Sequence, residues 1–244
     1  MFTETNKGFT IITNFGCDQH CKYCISKHHP ILQNNITNED NIDWNYLEEC
    51  IRETTSPKVN LSGGGDPFFE YWKHLDFYKK VYSICQKYGK LMDIHTRILP
   101  TDNELLKLFN KIALSIEFYD VKSLENLKNR YEEVSKLTNI RIIQVVSSSL
   151  TYEKCQEYIS KLKYYGVKQI TFRQMFGNKK AYEHFELLKN EIPYQEGVLF
   201  LKDGEYHNYY FTTNNKLYPY FFGFTEEDRL LWMKKYEDIE QSCN

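Results

Sequence analysis

Glycine and proline are scarce, 11 and 6 of 244 residues. That scarcity leaves no room for long linkers or a disordered tail, so folded elements should follow one another closely. Charge of one sign is also missing. Lys and Arg number 31 against 33 Asp and Glu, a net charge of −2, so no broad basic nucleic-acid surface is indicated. No apolar run approaches the roughly 18 residues that span a bilayer, so no membrane association is expected. The opening residues, Met1 to Lys7, hold no charged region leading into an apolar one. No secretory leader is expected there, and a cytoplasmic protein is. Seven cysteines are present, an odd number unevenly spread. A disulfide framework needs pairs and an oxidising compartment, and the chain suggests neither. At 244 residues, folding should bury roughly 70–75% of the unfolded surface without such staples.

What is present is an alternation of strand and helix. Gly8–Phe15, Lys58–Ser62, Leu91–Leu99, Ile112–Phe118, Asn139–Ser147 and Val167–Gln174 are β-rich and bounded by breakers. Trp44–Glu53, Glu70–Lys87, Asp102–Asn110, Val121–Leu137 and Tyr152–Tyr165 carry apolar residues at helical spacing. Thr101 with Glu104 reads as a capping box, and Gly166 as a helix stop. Strands each followed by a helix predict parallel βα units that curl, through right-handed crossovers, into an open α/β barrel over residues 1–176. Residues 177–244 read as a C-terminal extension packed on that barrel. It comprises a helix over Lys179–Asn190, a three-stranded meander (Val198–Lys202, Glu205–Phe211, Lys216–Phe222, its first turn at Asp203-Gly204), and a last helix capped by Thr225 and Asp228. Tyr206, Tyr209, Tyr210, Tyr218 and Tyr220 crowd the meander; a half-buried sheet is the favoured reading and substrate contacts the alternative.

The cysteines divide in two. Cys50, Cys85, Cys155 and Cys243 are isolated and read as packing residues, whereas Cys17, Cys21 and Cys24 follow the first strand in a loop opened by Gly16. Three thiolates are one short of the four that usually hold a [4Fe–4S] cluster, and an iron lacking a protein ligand can bind a substrate or cofactor. Other readings stay open on spacing alone. Positions i, i+4 and i+7 share one helix face as core packing, and His20, His28 or His29 could complete a structural zinc site.

The Cys17-x3-Cys21-x-Tyr23-Cys24 loop after the first strand resembles the signature of the radical S-adenosylmethionine (radical SAM) enzymes. Ser62-Gly63-Gly64-Gly65-Asp66-Pro67, at the end of the second strand, is similar to that family's Gly-Gly-Glu motif, departing from it by an extra glycine and by Asp for Glu. The resemblance covers about Phe9 to Gln174. It implies a partial (β/α)6 barrel and a [4Fe–4S] cluster on Cys17, Cys21 and Cys24. The iron free of cysteine would chelate SAM, whose reductive cleavage releases a 5′-deoxyadenosyl radical that abstracts hydrogen from a substrate. It further implies that the 62–66 turn, with its Asp66 carboxylate, holds the amino end of SAM, that Tyr23 fills the aromatic place, and that Ser115 or Glu117 meets the ribose. An electron donor such as flavodoxin or ferredoxin would be a partner. No second cluster is expected, and the chain lacks the short stretches of the glycyl-radical activases and the carboxy-deazaguanine synthases. The substrate, whether small molecule, nucleotide or peptide, is not named by the sequence. The alternative is a non-catalytic metal-binding barrel, a zinc or iron–sulfur sensor.

Strand parity supplies a separate expectation. Ile94, Ile98, Leu114, Ile116, Phe118, Ile170 and Phe172 should face the helices. The opposite parity turns Asn60, Ser62, Asp93, His95, Arg97, Ser115, Glu117, Thr171 and Arg173 inward. His95, Arg97 and Arg173 are therefore candidate catalytic or substrate-binding residues. At least one of the arginines is expected to bind an anionic group of the substrate or the SAM carboxylate.

Overall fold

The computed structural model describes residues 8–19, 21, 23, 24, 39–175, 179–202, 208–212, 214–219 and 227. Strands β1 (Gly8–Ile12), β2 (Lys58–Ser62), β3 (Leu91–Thr96), β4 (Lys111–Ser115), β5 (Asn139–Val146) and β6 (Ile170–Gln174) lie side by side, each parallel to the next. Helices α1 (Trp44–Glu53), α2 (Leu75–Lys87), α3 (Asn103–Leu106), α4 (Val121–Val134) and α5 (Tyr152–Tyr164) follow β1 to β5 in turn, and α6 (Lys179–Glu191) follows β6. The result is an α/β fold on a parallel sheet that does not close, its edges being β7 (Val198–Leu201) and β9 (Lys216–Tyr218). No helix among the described residues is long and apolar enough to cross a membrane.

Alternation along the strands decides which face meets the helices. Phe9, Ile11, Val59, Leu61, Met92, Ile94, Ile112, Leu114, Ile142 and Phe172 are buried in one core with Leu47, Phe77, Val81, Leu127 and Leu162. Each such side chain contributes about 1.5–3 kcal/mol. A one-residue slip would put that row on the other face, so parity is strongly held. Ile116 and Ile170 join this core, and Ile98 and Phe118 pack against it, as the sequence pattern requires.

Helix starts are held by side-chain caps. Asp43, Asp120 and Thr151 accept from Tyr46 N, Ser123 N and Lys154 N. The capping box expected at Thr101 does not form. Asp102 is the cap instead, accepting from Glu104 N and Leu105 N at 2.9 and 3.0 Å, because its carboxylate reaches both free amides one residue closer to the helix. The long helix expected from Glu70 is interrupted. A short 3-10 turn over Tyr71–Lys73 precedes α2, with Glu70 at φ 46 before it.

The tail departs most from expectation. Its strands form no separate meander and respect no boundary at residue 176. β7 adds to β6 in parallel, β8 (Asn208–Thr212) adds to β1 in parallel, and only β9 pairs antiparallel, with β8. An open parallel sheet leaves unpaired N–H and C=O groups along both edges, and two tail strands satisfy one edge each. Phe200 of β7 stacks on Phe172 at 4.9 Å, and Phe185 of α6 packs beside it. Asp203-Gly204, Tyr206, Tyr220 and the helix expected after Thr225 lie outside the described residues.

Candidate functional site

The loops after β1 and β2 meet at the C-terminal edge of the sheet. Gly16 and Gly65 form an isolated parallel bridge, and Asp66 N donates to Gly16 O at 2.8 Å. The glycines are what permit this approach. A Cβ on Gly65, at φ +126, would sit 2.3 Å from Gly16 O, and one on Gly64 would sit 1.5 Å from Asn14 Oδ1. Asn14 itself takes φ 50 and is buried, and its Oδ1 has no hydrogen-bond partner.

The resemblance implies that the Asp66 carboxylate is offered to the ammonium group of SAM. The observed side chain is 4% exposed and directed into the protein. Its Oδ1 accepts from Thr96 Oγ1 at 2.5 Å and Phe68 N at 2.8 Å, and its Oδ2 accepts from Arg97 N at 2.6 Å. Burial pushes this carboxyl above the usual carboxylate range, while the three donors pull the other way. Asp66 thereby ties the glycine turn to the end of β3. Ser62 ends β2 half-buried, and Gly63 O accepts from Thr13 Oγ1 at 3.5 Å.

Cys17 is exposed, and Cys21 and Cys24 are half-buried. Gln19 N donates to Cys17 Sγ at 3.3 Å, and Cys24 N donates to Cys21 O at 3.2 Å. Although the residue is exposed, partial desolvation of the Cys17 thiol against its own loop pushes it up to about 11; the Gln19 N–H pulls the other way, and Asp66, Cys21 and Cys24 add repulsion. Among the described residues no three His, Cys, Asp or Glu side chains are gathered closely enough to hold a metal ion. His20, His28 and His29 lie outside the described residues, as does Cys243. Cys50, Cys85 and Cys155 are buried in helices, away from the loop.

Two clusters occupy the concave side and the mouth. In the first, Glu117 accepts from Tyr23 Oη, from Gln144 Nε2 and from Arg97 Nη1, the last at 3.4 Å. Arg97 also reaches Asp120 Oδ2 at 3.6 Å and donates to Tyr23 Oη at 3.1 Å. Burial and the neighbouring Glu117 charge push the Tyr23 hydroxyl well above its ordinary value. Glu117 is 3% exposed. The resemblance implies a ribose contact for Ser115 or Glu117; here the Glu117 oxygens are taken by Tyr23, Arg97 and Gln144, and through Tyr23 they tie down the cysteine loop. The second cluster is His95, whose Nε2 lies 3.2 Å from Ser115 Oγ, with Arg173 and Arg141 near enough for their charges to act on it. Burial first, then those two charges, push His95 down to about 3.

Of the residues singled out in the sequence, the structure brings together Tyr23, Arg97 and Glu117, and separately His95, Ser115 and Arg173. The sequence reading misses Gln144, Asp120, Thr96 and Arg141. Gln144 stands at a helix-facing position of β5 between Ile142 and Val146. A glutamine inside an apolar run is the signal that could have found it, since a buried amide needs partners. A pocket of about 420 Å³ opens elsewhere, at the N-terminal ends of β3 to β5, lined by Met92, Lys107, Phe109, Lys136 and Asn139. None of the candidate residues borders it.

No family model matches the chain, and no curated protein matches it. Among solved structures, one similar chain is orotidine 5′-monophosphate decarboxylase from Sulfolobus solfataricus. It is 12% identical, with 80% of this chain and 77% of that one covered, at a TM-score of 0.39. A likeness that weak carries no argument for function.

Proposed function

We propose that this chain is a radical SAM enzyme, acting by hydrogen abstraction on a small-molecule, nucleotide or peptide substrate. The observation that carries the reading is an adjacency. The three-cysteine loop and the glycine turn, Cys24 and Gly63 being 39 residues apart in sequence, are joined by the Gly16–Gly65 bridge at the C-terminal edge of a parallel sheet. The donor set fits an iron–sulfur cluster by its chemistry: Cys17, Cys21 and Cys24 are soft ligands whose mutual repulsion a bound cation would relieve. A cluster with SAM would supply one-electron cleavage of the sulfonium and the hydrogen abstraction that follows.

The chain's own residues would do the rest. The cysteines hold the cluster, and Gly63 to Gly65 bring bare backbone to the mouth. Tyr23, tethered through Glu117 and Arg97, fixes the loop that carries the thiols. His95 stays neutral on the concave side and can donate or accept one hydrogen bond. An external one-electron donor such as flavodoxin or ferredoxin is required. The test is anaerobic reconstitution with iron and sulfide, followed by electron paramagnetic resonance and assay of 5′-deoxyadenosine under reductant. The reading expects a [4Fe–4S] signal and SAM cleavage, both lost in Cys17→Ala, Cys21→Ala and Cys24→Ala. A colourless protein that binds zinc and leaves SAM intact overturns it in favour of a non-catalytic metal-binding barrel.

A further inference from the structure

Arg141, His95 and Ser115 surround a gap in the concave face. His95 and Arg141 flank Ala113 in neighbouring strands, in the registers His95↔Ala113 and Ala113↔Arg141. Strands spaced roughly 4.8 Å apart put their Cα atoms about 10 Å apart, with only a methyl group between. Arg173 enters from β6, beside Val145. Arg141, Arg173 and Ser115 are half-buried and in part reached by solvent, and His95 lies desolvated among them, whereas the helix-facing residues of the same strands are fully buried.

Among the described residues, charge in this gap is unbalanced. On the concave side of β2 to β6, Lys58, Lys111, Arg141 and Arg173 stand against one carboxylate, Asp93, which Lys58 meets at 3.5 Å and Asn110 at 2.8 Å. Among the described residues Arg141 reaches only the neutral Gln169, at 3.4 Å. Arg173 has no hydrogen-bond or ion-pair partner among the described residues. Half-buried guanidinium groups without acidic partners are costly unless an anion completes them. One carboxylate would leave part of this charge uncompensated; a phosphate monoester carries about two negative charges and three acceptor oxygens.

We infer that the concave face binds the phosphate group of a phosphorylated substrate, held by Arg141 and Arg173 with Ser115 and His95 as neutral hydrogen-bonding partners. The inference extends the reading above to the substrate's class, but its test needs neither cluster nor SAM. Protein labelled with 15N-histidine is titrated with inorganic phosphate at constant ionic strength, and the His95 ring signals are assigned by His95→Gln. The expected result is a saturable shift of those signals, weakened about tenfold or more in Arg173→Gln and in Arg141→Gln. Acetate should bind about tenfold more weakly than phosphate. His95 signals that do not move in the wild type overturn the inference whatever the variants do. So does binding unchanged in whichever variant folds, and so does acetate binding as tightly as phosphate. A cluster that fails to form would count against the radical SAM reading and leave the phosphate result standing.

Discussion

Replacing Asp66 by Asn keeps the side chain's shape and changes one acceptor atom into a donor. The amide oxygen can remain at the Oδ1 position, accepting from Thr96 and Phe68 N. The amide nitrogen then faces Arg97 N, which the carboxylate accepted at 2.6 Å. One charge-assisted hydrogen bond is lost, about 1.5–3 kcal/mol, and the Arg97 N–H is left against another donor. Removing a buried charge returns part of this, because burial raises the Asp66 pKa. The net cost should be about 2–3 kcal/mol, which for a chain of this size lowers Tm by about 4–12 °C. Urea denaturation followed by tryptophan fluorescence measures it, with Asp66→Ala expected to cost more because all three acceptor contacts go. If Asp66→Asn unfolds at the wild-type urea concentration, the carboxylate is not a structural tie and its role as an exposed ligand returns.

Three further outcomes follow from the same geometry. Gly65→Ala should cost about 3 kcal/mol or more, through its φ of +126 and a Cβ 2.3 Å from Gly16 O, whereas Gly89→Ala, which meets nothing within 4 Å, should cost about 1–2 kcal/mol; equal urea midpoints would refute the close approach. His95, held down to about 3, takes up its proton in the unfolded chain near 6.5. Its contribution to stability is therefore complete above about pH 6.5 and is lost as pH falls toward 3, by at most about 3 kcal/mol at pH 4; a stability–pH curve equally steep in His95→Gln would contradict this. Tyr23→Phe removes the loop's hydroxyl tie to Glu117 and should cost about 1 kcal/mol while speeding amide exchange at Cys24; unchanged exchange would mean the loop is held elsewhere.

The parallel sheet and the order of its helices were legible because two periods, alternation in Ile112–Phe118 and helical spacing in Val121–Leu137, are local properties of the chain. The inward parity of His95, Arg97 and Arg173 was legible for the same reason. Partner choice was not. Nothing near Asp66 in sequence indicates that its oxygens are taken by Thr96, Phe68 N and Arg97 N, since two of those donors lie 30 and 31 residues away. The tail misled because Asp203-Gly204 between two β-rich runs is a strong hairpin signal. The free edges of β1 and β6 outcompete that local pairing, and edges exist only once the parallel sheet is assembled.

Arg97 and Arg173 show why like residues at like positions diverge. Both arise from the inward parity of βα units in the same sheet, three strands apart, and both are candidates for an anion. Arg97 stands where the loop after β1 and the end of β4 converge, and Glu117, Asp120 and Tyr23 surround it. Its charge is compensated within the protein, so binding a ligand there would first require breaking contacts already made. Arg173 lies deeper, beside Val145 and Thr171, where the neighbouring strands contribute no acid. Its charge stays available to a ligand, next to a histidine that burial keeps neutral. The Arg97 cluster therefore ties down the loop that carries the cysteines, whereas an anion reaching Arg173 would displace no partner among the described residues.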